Sequence, residues 1–261
     1  MLGKLLKYEI PAMGRKMLPL YIAWAAAAFI LGLSTQSADS KSEFIVVISA
    51  LLYTAIATAI MVMTVIMIVQ RYSNSLLGDE AYFNHVLPVT ASAHIANKLI
   101  SAMIWVFVTI LVAILTALLI GIGALIVAGL QGEPINLPSL ADIMRILPDH
   151  FGLYAIELLI LALASSVKTI MQIYAAVTIG RQMPNHTTLA SIGSYILIMM
   201  FESTVGRVLM PMFLRGWMQM DISNAESLQH LFIPAFITTV LFSALYFFIC
   251  KYLMEKRLNL A

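Results

Sequence analysis

Residues 99–130 read LISAMIWVFVTILVAILTALLIGIGALIVAGL, and this run contains no charged side chain. A bilayer core about 30 Å thick needs about 20 residues of helix to cross it. Backbone groups in lipid must find their partners within the same segment, so such a run crosses as a helix and not as an open strand. The stretch therefore predicts a transmembrane helix.

The rest of the chain has the same character. Hydrophobic residues make up 61% of it and charged residues 11%, with a mean hydropathy of +0.95, whereas a soluble domain is near half apolar and a quarter charged. The alternating pattern of a membrane β-barrel is absent. We predict an all-α polytopic membrane protein with a single domain over 1–261 and six spans, at 17–34, 44–69, 99–130, 151–180, 188–206 and 231–250. Four glycines are expected to allow close packing between these helices: Gly121, Gly123, Gly180 and Gly193.

The basic residues orient these spans. Ten Lys and Arg residues fall in the termini and one set of connections, and four fall in the other set, which carries most of the acidic residues. An excess of Lys and Arg marks the cytoplasmic side. Both termini and the connection at 70–98 are therefore predicted to be cytoplasmic, in a multi-pass protein of the cell membrane.

Three segments outside the spans have distinct patterns. Residues 1–16 place leucines on one side and lysines away from it, which is typical of a helix in the inner membrane interface, and Pro11 and Gly14 are expected to end this helix before the first span. A frayed basic leader is the alternative. Residues 131–150 read as a polar outer loop. Residues 207–230 are rich in Met, Leu, Phe and Trp for an outer segment, so they are expected to form short re-entrant helices in the outer leaflet or a helix lying on its surface.

Motifs of enzymatic chemistry are missing from the sequence. It contains no G-x-x-x-x-G-K-[ST], no H-E-x-x-H and no G-x-S-x-G. No two of the five histidines are spaced i, i+4, and the single cysteine, Cys250, excludes an internal disulfide. We therefore expect a protein that is not an enzyme, holds no cofactor or metal and has no nucleic-acid partner.

Three charged residues lie inside the predicted spans: Glu157, Lys168 and Glu202. A charge in a membrane helix is costly, so it usually faces protein or water and often marks a path for an ion or a substrate. Glu157 and Lys168 are predicted to share a helix face, about 16 Å apart, and Glu202 to lie near the outer end of its span, at the depth of Glu157. We assign these residues to a translocation path. For Lys168 the alternative is a side chain extended toward the inner interface.

The connection after the second span reads RYSNSLLGDEAYFNHVLPVTASAHIANKL over residues 71–99. Asp79 is suited to cap a new helix with its carboxylate, and Glu80 favours the positive end of that helix. The residue before Pro88 is disfavoured in helical geometry, so the helix should end there. Thr90 can then cap the third long helix. The pattern predicts a short cytoplasmic helix at 79–87, held between two long ones.

This short helix carries Tyr82, Phe83 and His85, which we expect to point outward. Exposed aromatic side chains on a short rigid helix are typical anchors of a protein interface. The alternative is a solvated connector whose aromatic residues rest among lipid headgroups.

The run LLGDEAYFNHVLPVTASAHIANKLISAMIW, residues 76–105, resembles the corresponding loop of type-2 ATP-binding-cassette (ABC) transporter permeases from Gram-positive bacteria. In that family a leucine-glycine-acid segment leads to a leucine-proline pair and then to a capped third helix with a lysine-leucine pair. The opening MLGKLLKYEI is also similar to starts in that family.

The resemblance implies a transport subunit of a bacterial cell membrane that dimerises with a second copy or a paralogue and binds two separate ATPase subunits, which would hold the ATP. It implies that 79–87 is the coupling helix, with Asp79, Glu80, Tyr82, Phe83 and His85 at the ATPase, and that 207–230 matches the re-entrant outer helices of the family. Exported antimicrobial peptides, polysaccharides, lipids and drugs are the implied cargo classes, and membrane lipid is a further partner. Two alternatives remain: an ion-coupled secondary transporter using Glu157, Lys168 and Glu202, and a membrane-embedded enzyme or assembly factor.

Overall fold

The computed structural model describes residues 2–35, 40–77, 90–132, 151–183, 186–214 and 225–256. These residues form six long helices with short turns and no strand. The helices are α1 (Leu2–Ser34), α2 (Ser40–Tyr72), α3 (Ala91–Gln131), α4 (Phe151–Gly180), α5 (Thr187–Leu214) and α6 (Ala225–Lys256), and α2 continues into a π-helical turn at Ser73–Leu77.

Each helix contains one stretch that is long and apolar enough to cross a membrane. These stretches are Met13–Ser34, Glu43–Leu76, Ala91–Gln131, Gly152–Gly180, Thr187–Val208 and Phe232–Glu255. Many of their large apolar side chains are exposed, Met61 by 70% and Leu158 by 70%, as expected where lipid replaces water around a protein. For the described residues, the prediction of an all-α fold with six helices long and apolar enough to cross a membrane is confirmed, and these helices fit a multi-pass membrane protein.

The first helix differs from its prediction. It runs without interruption from Leu2 to Ser34 with Pro11 and Pro19 inside it, so the expected end near Pro11 and Gly14 is wrong. Met13 and Met17 are buried, and a Cβ built on Gly14 would lie 3.3 Å from the ring of Trp105. This packing keeps the segment helical although a proline removes a backbone hydrogen bond. The placement of residues 1–16 in the membrane interface stays a prediction.

The described helices fall into two compact units, and the first comprises Met1–Met67 and Ser101–Leu147. It contains most of α1 to α3. Its core is a cluster of seven buried side chains: Met13, Met17, Tyr21, Trp24, Ile60, Met67 and Trp105. Hydroxyl pairs join the same helices, with Tyr21 and Thr109 oxygens 2.7 Å apart and Ser34 and Ser49 oxygens 2.8 Å apart. Apolar packing and a few satisfied hydroxyls therefore hold this unit together.

Glycine permits backbone contact at two helix crossings. A Cβ on Gly123 of α3 would lie 2.9 Å from backbone atoms at Gly32 of α1, and a Cβ on Gly180 of α4 would lie 2.5 Å from a backbone nitrogen of α5. The predicted role in close packing is confirmed for these two positions. A Cβ on Gly121 or Gly193 would meet nothing within 4 Å among the described residues, so these two positions make no close helix contact in that part of the chain. The sequence pattern alone does not distinguish which glycines face a neighbouring helix.

The second unit comprises Ile68–Ile100 and Pro148–Ala261. Its central element is α4, which packs against α5 and α6. Every residue of α4 from Ile170 to Thr178 is buried, whereas Ile156, Leu158 and Leu159 in the first half of the helix are exposed. The part of α4 that leads to Gly180 is thus the core of this unit. The prediction of a single domain over 1–261 is not decided by this division and stays a prediction.

Several predicted segments lie wholly or partly outside the described residues. The short helix at 79–87 and most of the outer loop at 131–150 are among them. Of the predicted outer segment 207–230, residues 207–214 prolong α5 and α6 already begins at Ala225. Those parts are not separate short helices. Residues 215–224 lie outside the description, and the outer-leaflet placement stays a prediction.

Candidate functional site: a charge cluster among α4, α5 and α6

Two of the three charges predicted inside the spans meet in the second unit. The Lys168 ammonium of α4 donates a hydrogen bond to Oε1 of Glu202 on α5 and forms an ion pair with it. Each side chain is 21% exposed. A lone charge at this depth is costly in lipid, and pairing lowers that cost because each ion replaces part of the hydration that the other has lost. Lys168 therefore extends to a protein partner and not along the lipid to the inner interface.

A third helix completes the cluster. The hydroxyl of Tyr246 on α6 donates to Oε2 of Glu202 across 3.2 Å. The ring of Phe242 is stacked 6.0 Å from that of Tyr246 and edge-on 6.5 Å from that of Phe201. Both carboxylate oxygens thus have a donor, and aromatic rings border one side. We call Lys168, Glu202 and Tyr246 the charge cluster.

The depth of Glu202 differs from its prediction. Lys168 stands 12 residues before the end of α4, and Glu202 stands 15 residues after the start of α5. Measured along each helix from the short α4–α5 connection, these offsets correspond to rises of about 18 Å for Lys168 and about 22 Å for Glu202. The two long side chains span the small difference in height. Glu202 therefore lies at the level of Lys168 and not at that of Glu157. Counting residues from the α4–α5 connection would have placed Glu202 near the height of Lys168, but it would not have given the helix rotation that turns the two side chains toward each other.

Glu157 is separate from the cluster. It lies on α4 about 16 Å from Lys168 by helical rise, and it is half-buried between the exposed Ile156 and Leu158. It forms no ion pair or hydrogen bond with another residue in the described parts of the chain. The structure thus brings Lys168 and Glu202 together and leaves Glu157 apart.

Sequence reasoning missed Tyr246. A tyrosine in an apolar span is usually a packing residue whose hydroxyl finds a nearby acceptor, and nothing in the α6 sequence identifies that acceptor. The one indication in the sequence was that the Tyr246 hydroxyl lies within an apolar span, where it needs a protein acceptor. The partner is decided by how α6 packs against α5.

The predicted coupling residues, Asp79, Glu80, Tyr82, Phe83 and His85, all lie outside the described residues. Thr90 is the first described residue after them and stands directly before α3. Its carbonyl oxygen accepts from the amides of Ala93 and His94 at 3.0 and 3.2 Å. The predicted start of the third helix after Thr90 is confirmed.

The charge cluster has a defined chemical character. It combines one cation, one anion and one hydroxyl with no net charge, and its hydrogen bonds join three helices. If the helices separated, a cation and a carboxylate would become available to a passing ligand. No group of three His, Cys, Asp or Glu residues suited to a metal ion occurs in the described parts of the chain.

Comparison with protein-family models, curated proteins and solved structures gives no match to this chain.

Proposed function

We propose that this chain is the membrane subunit of an ATP-driven ABC exporter. It forms a substrate path as a dimer, with a second copy or a paralogue, and it takes its energy from separate ATPase subunits. Antimicrobial peptides, lipids and drugs are the cargo classes that the loop resemblance favours. The proposal is supported chiefly by the form of α2 and α3 on either side of the 78–89 connection.

Both helices are much longer than a membrane crossing requires. α2 has 33 residues before its π-helical turn and α3 has 41, about 50 and 60 Å of rise against a hydrocarbon core of about 30 Å. The excess at the 77 and 90 ends is polar and lies on the Lys- and Arg-rich side of the predicted topology. In the proposed topology these two ends project toward the cytoplasm, and residues 78–89 connect them in sequence.

The projecting ends are packed. Tyr72 and Leu76 before the connection are fully buried, and so is Ile95 after it. A movement of the 78–89 connection would therefore be transmitted to helix ends that are packed against the rest of the protein. This is the property that an energy-coupling segment needs when the nucleotide site is on another subunit.

The charge cluster has a place in the same proposal. Glu157, Lys168 and Glu202 are assigned to the translocation path, since intramembrane charges that are retained at a high cost usually serve a transported group. Opening of the Lys168–Glu202 pair during the cycle would present both charges to the cargo.

The decisive experiment is purification of the tagged chain from membranes of its own cell, followed by identification of any bound protein with a P-loop. Replacing Tyr82 and Phe83 by alanine should reduce ATPase binding at least tenfold, because lost aromatic anchors typically cost about 2 kcal/mol or more. Phe248→Ala is the matched control, since Phe248 is 65% exposed on α6 within a membrane span. Wild-type binding by the double variant would refute the coupling role of 79–87, and absence of a P-loop partner would refute the ABC assignment.

The ion pair also favours a second candidate, an ion-coupled transporter. Carboxylates and lysines that face each other inside a membrane recur in proton and ion relays. The two candidates differ in their energy source. An ion-coupled protein would stop when the ion gradient is dissipated with ATP maintained, whereas the proposed exporter would continue.

A further inference from the structure

The inner end of α2 is inserted into the most buried part of the second unit. The Tyr72 ring, in the last residue of α2, is stacked on the Tyr174 ring of α4, with ring centroids 4.0 Å apart and planes 8° from parallel. The side chains are 0% and 1% exposed. Two tyrosines so closely stacked hold these helices in one relative position, since sliding either ring would lose the contact.

Two hydrogen bonds through Thr178 also connect Tyr72 to the backbone of Tyr174. Thr178 Oγ1 donates to the Tyr174 carbonyl oxygen at 2.7 Å. Because its one proton is used there, Thr178 Oγ1 must accept from the Tyr72 hydroxyl, 2.8 Å away. Tyr72 is thus fixed to α4 by its ring and by its hydroxyl. The low local dielectric strengthens such a connected set of bonds.

The same tyrosine also contacts α6. Its hydroxyl lies 3.8 Å from the Met254 sulfur, and Cys250, fully buried, lies beside Tyr72 and Thr178. One side chain of α2 therefore joins both α4 and α6. We call Tyr72, Tyr174, Thr178 and Met254 the tyrosine joint.

The joint stands directly before the π-helical turn at Ser73–Leu77. In that turn Ser75 Oγ donates to the Arg71 carbonyl at 2.7 Å, and Arg181, after the end of α4, donates to Ser73 Oγ at 3.4 Å. A π-helical turn is rare and often marks a functional position. The last turn of α2 also belongs to the compact unit of α4–α6, because that unit begins at Ile68.

We propose that Tyr72 and Tyr174 are positioning residues of a mechanical joint that makes the inner end of α2 move together with α4 and α6. Movement that enters at the cytoplasmic end of α2 is thereby delivered to the helices that carry the charge cluster. The source of that movement rests on the proposed function; the joint itself does not.

The first arm of the test uses the native thiol. Cys250 is the only cysteine of the chain and is buried beside Tyr72 and Thr178 of the joint, so its labelling rate with N-ethylmaleimide reports how often the joint opens. Tyr174→Leu removes the stack and should raise that rate about tenfold, the effect of losing an aromatic pair. Tyr174→Phe keeps the ring and should label at the wild-type rate. Equal rates for the Leu and Phe variants would overturn the joint.

The second arm measures transmission in the complex with the ATPase. A reporter cysteine replaces Thr204, an exposed residue of α5, in a Cys250→Ala background, and its labelling rate is compared with and without ATP. The parent and Tyr174→Phe should show an ATP-dependent rate, and Tyr174→Leu should lose that dependence while the ATPase stays bound. The role in transmission is overturned if the Leu variant keeps the dependence or if the parent has none.

The two proposals fail in distinguishable ways. If no ATPase copurifies with the parent chain, the proposed function is wrong, while protection of Cys250 in the first arm still decides whether the joint exists. If the ATPase binds and the joint variants transmit normally, the joint has no part in coupling and the proposed function stands.

Discussion

Lys168 and Glu202 neutralise each other at a depth where either charge alone is costly. The carboxylate accepts from Lys168 and Tyr246, so both of its oxygens have a donor. Neutralising one partner leaves the other charge buried and uncompensated, whereas replacing both with uncharged side chains leaves no buried charge and costs less stability. The value of the pair is therefore best measured by comparing single and double variants.

We expect Lys168→Met and Glu202→Gln each to destabilise the purified protein by about 2 kcal/mol, and the double variant to be more stable than either single one. Thermal unfolding in detergent measures this. Tyr246→Phe, which removes one hydrogen bond to the Glu202 carboxylate, should cost about 1.5 kcal/mol. Additive losses in the double variant would show that the two charges do not act as a pair.

The crossing of α1 and α3 has its own test. A Cβ on Gly123 would meet the backbone of α1 at 2.9 Å, while one on Gly121 would meet no described residue within 4 Å. Gly123→Ile should therefore lower stability by about 3 kcal/mol through overpacking, and Gly121→Ile, the matched control two residues away, should leave it unchanged or raise it. The order of their unfolding temperatures checks this, and the reverse order would contradict the crossing.

The predicted topology can be tested at the connections between helices, because it assigns each connection to one side of the membrane. Cysteines replace Asn74 and Gln182 on the predicted inner side and Gln131 on the outer side, all of them exposed positions, in a Cys250→Ala background. An impermeant thiol reagent applied to intact cells should label only the Gln131 position, and the other two should react after permeabilisation. The opposite pattern would invert the chain and remove the 78–89 connection from the cytoplasm.

The sequence of the whole molecule contains no P-loop motif for binding ATP. We therefore predict that ATP is bound and hydrolysed by a partner subunit of the assembly. The purified chain alone should neither bind nor hydrolyse ATP, and hydrolysis should appear only when the P-loop partner is added. The control is the same partner assayed alone and with the Tyr82→Ala, Phe83→Ala variant. Hydrolysis by the chain alone at a rate unaffected by the partner would contradict the proposal.

Hydropathy and segment length are sufficient to predict the helical architecture of this protein. Runs such as 99–130 are too long and too apolar for anything other than a helix in lipid, because an unpaired backbone group there costs several kilocalories per mole. All six predicted spans lie within helices of the structure. Local chemistry also located the start of α3 after Thr90, since that prediction depends only on neighbouring residues.

Tertiary structure decided which polar groups meet. The Lys168–Glu202 contact joins residues 34 apart, Tyr246 joins Glu202 from 44 residues away, and Tyr72 joins Thr178 across 106 residues. Pro11 predicted an end to the first helix, but the burial of Met13 and Met17 kept it continuous. Hydropathy states only that a segment enters lipid and says nothing of the rotation or height of one helix against the next. Those two quantities are set by packing, and they decide which charges and hydroxyls find partners.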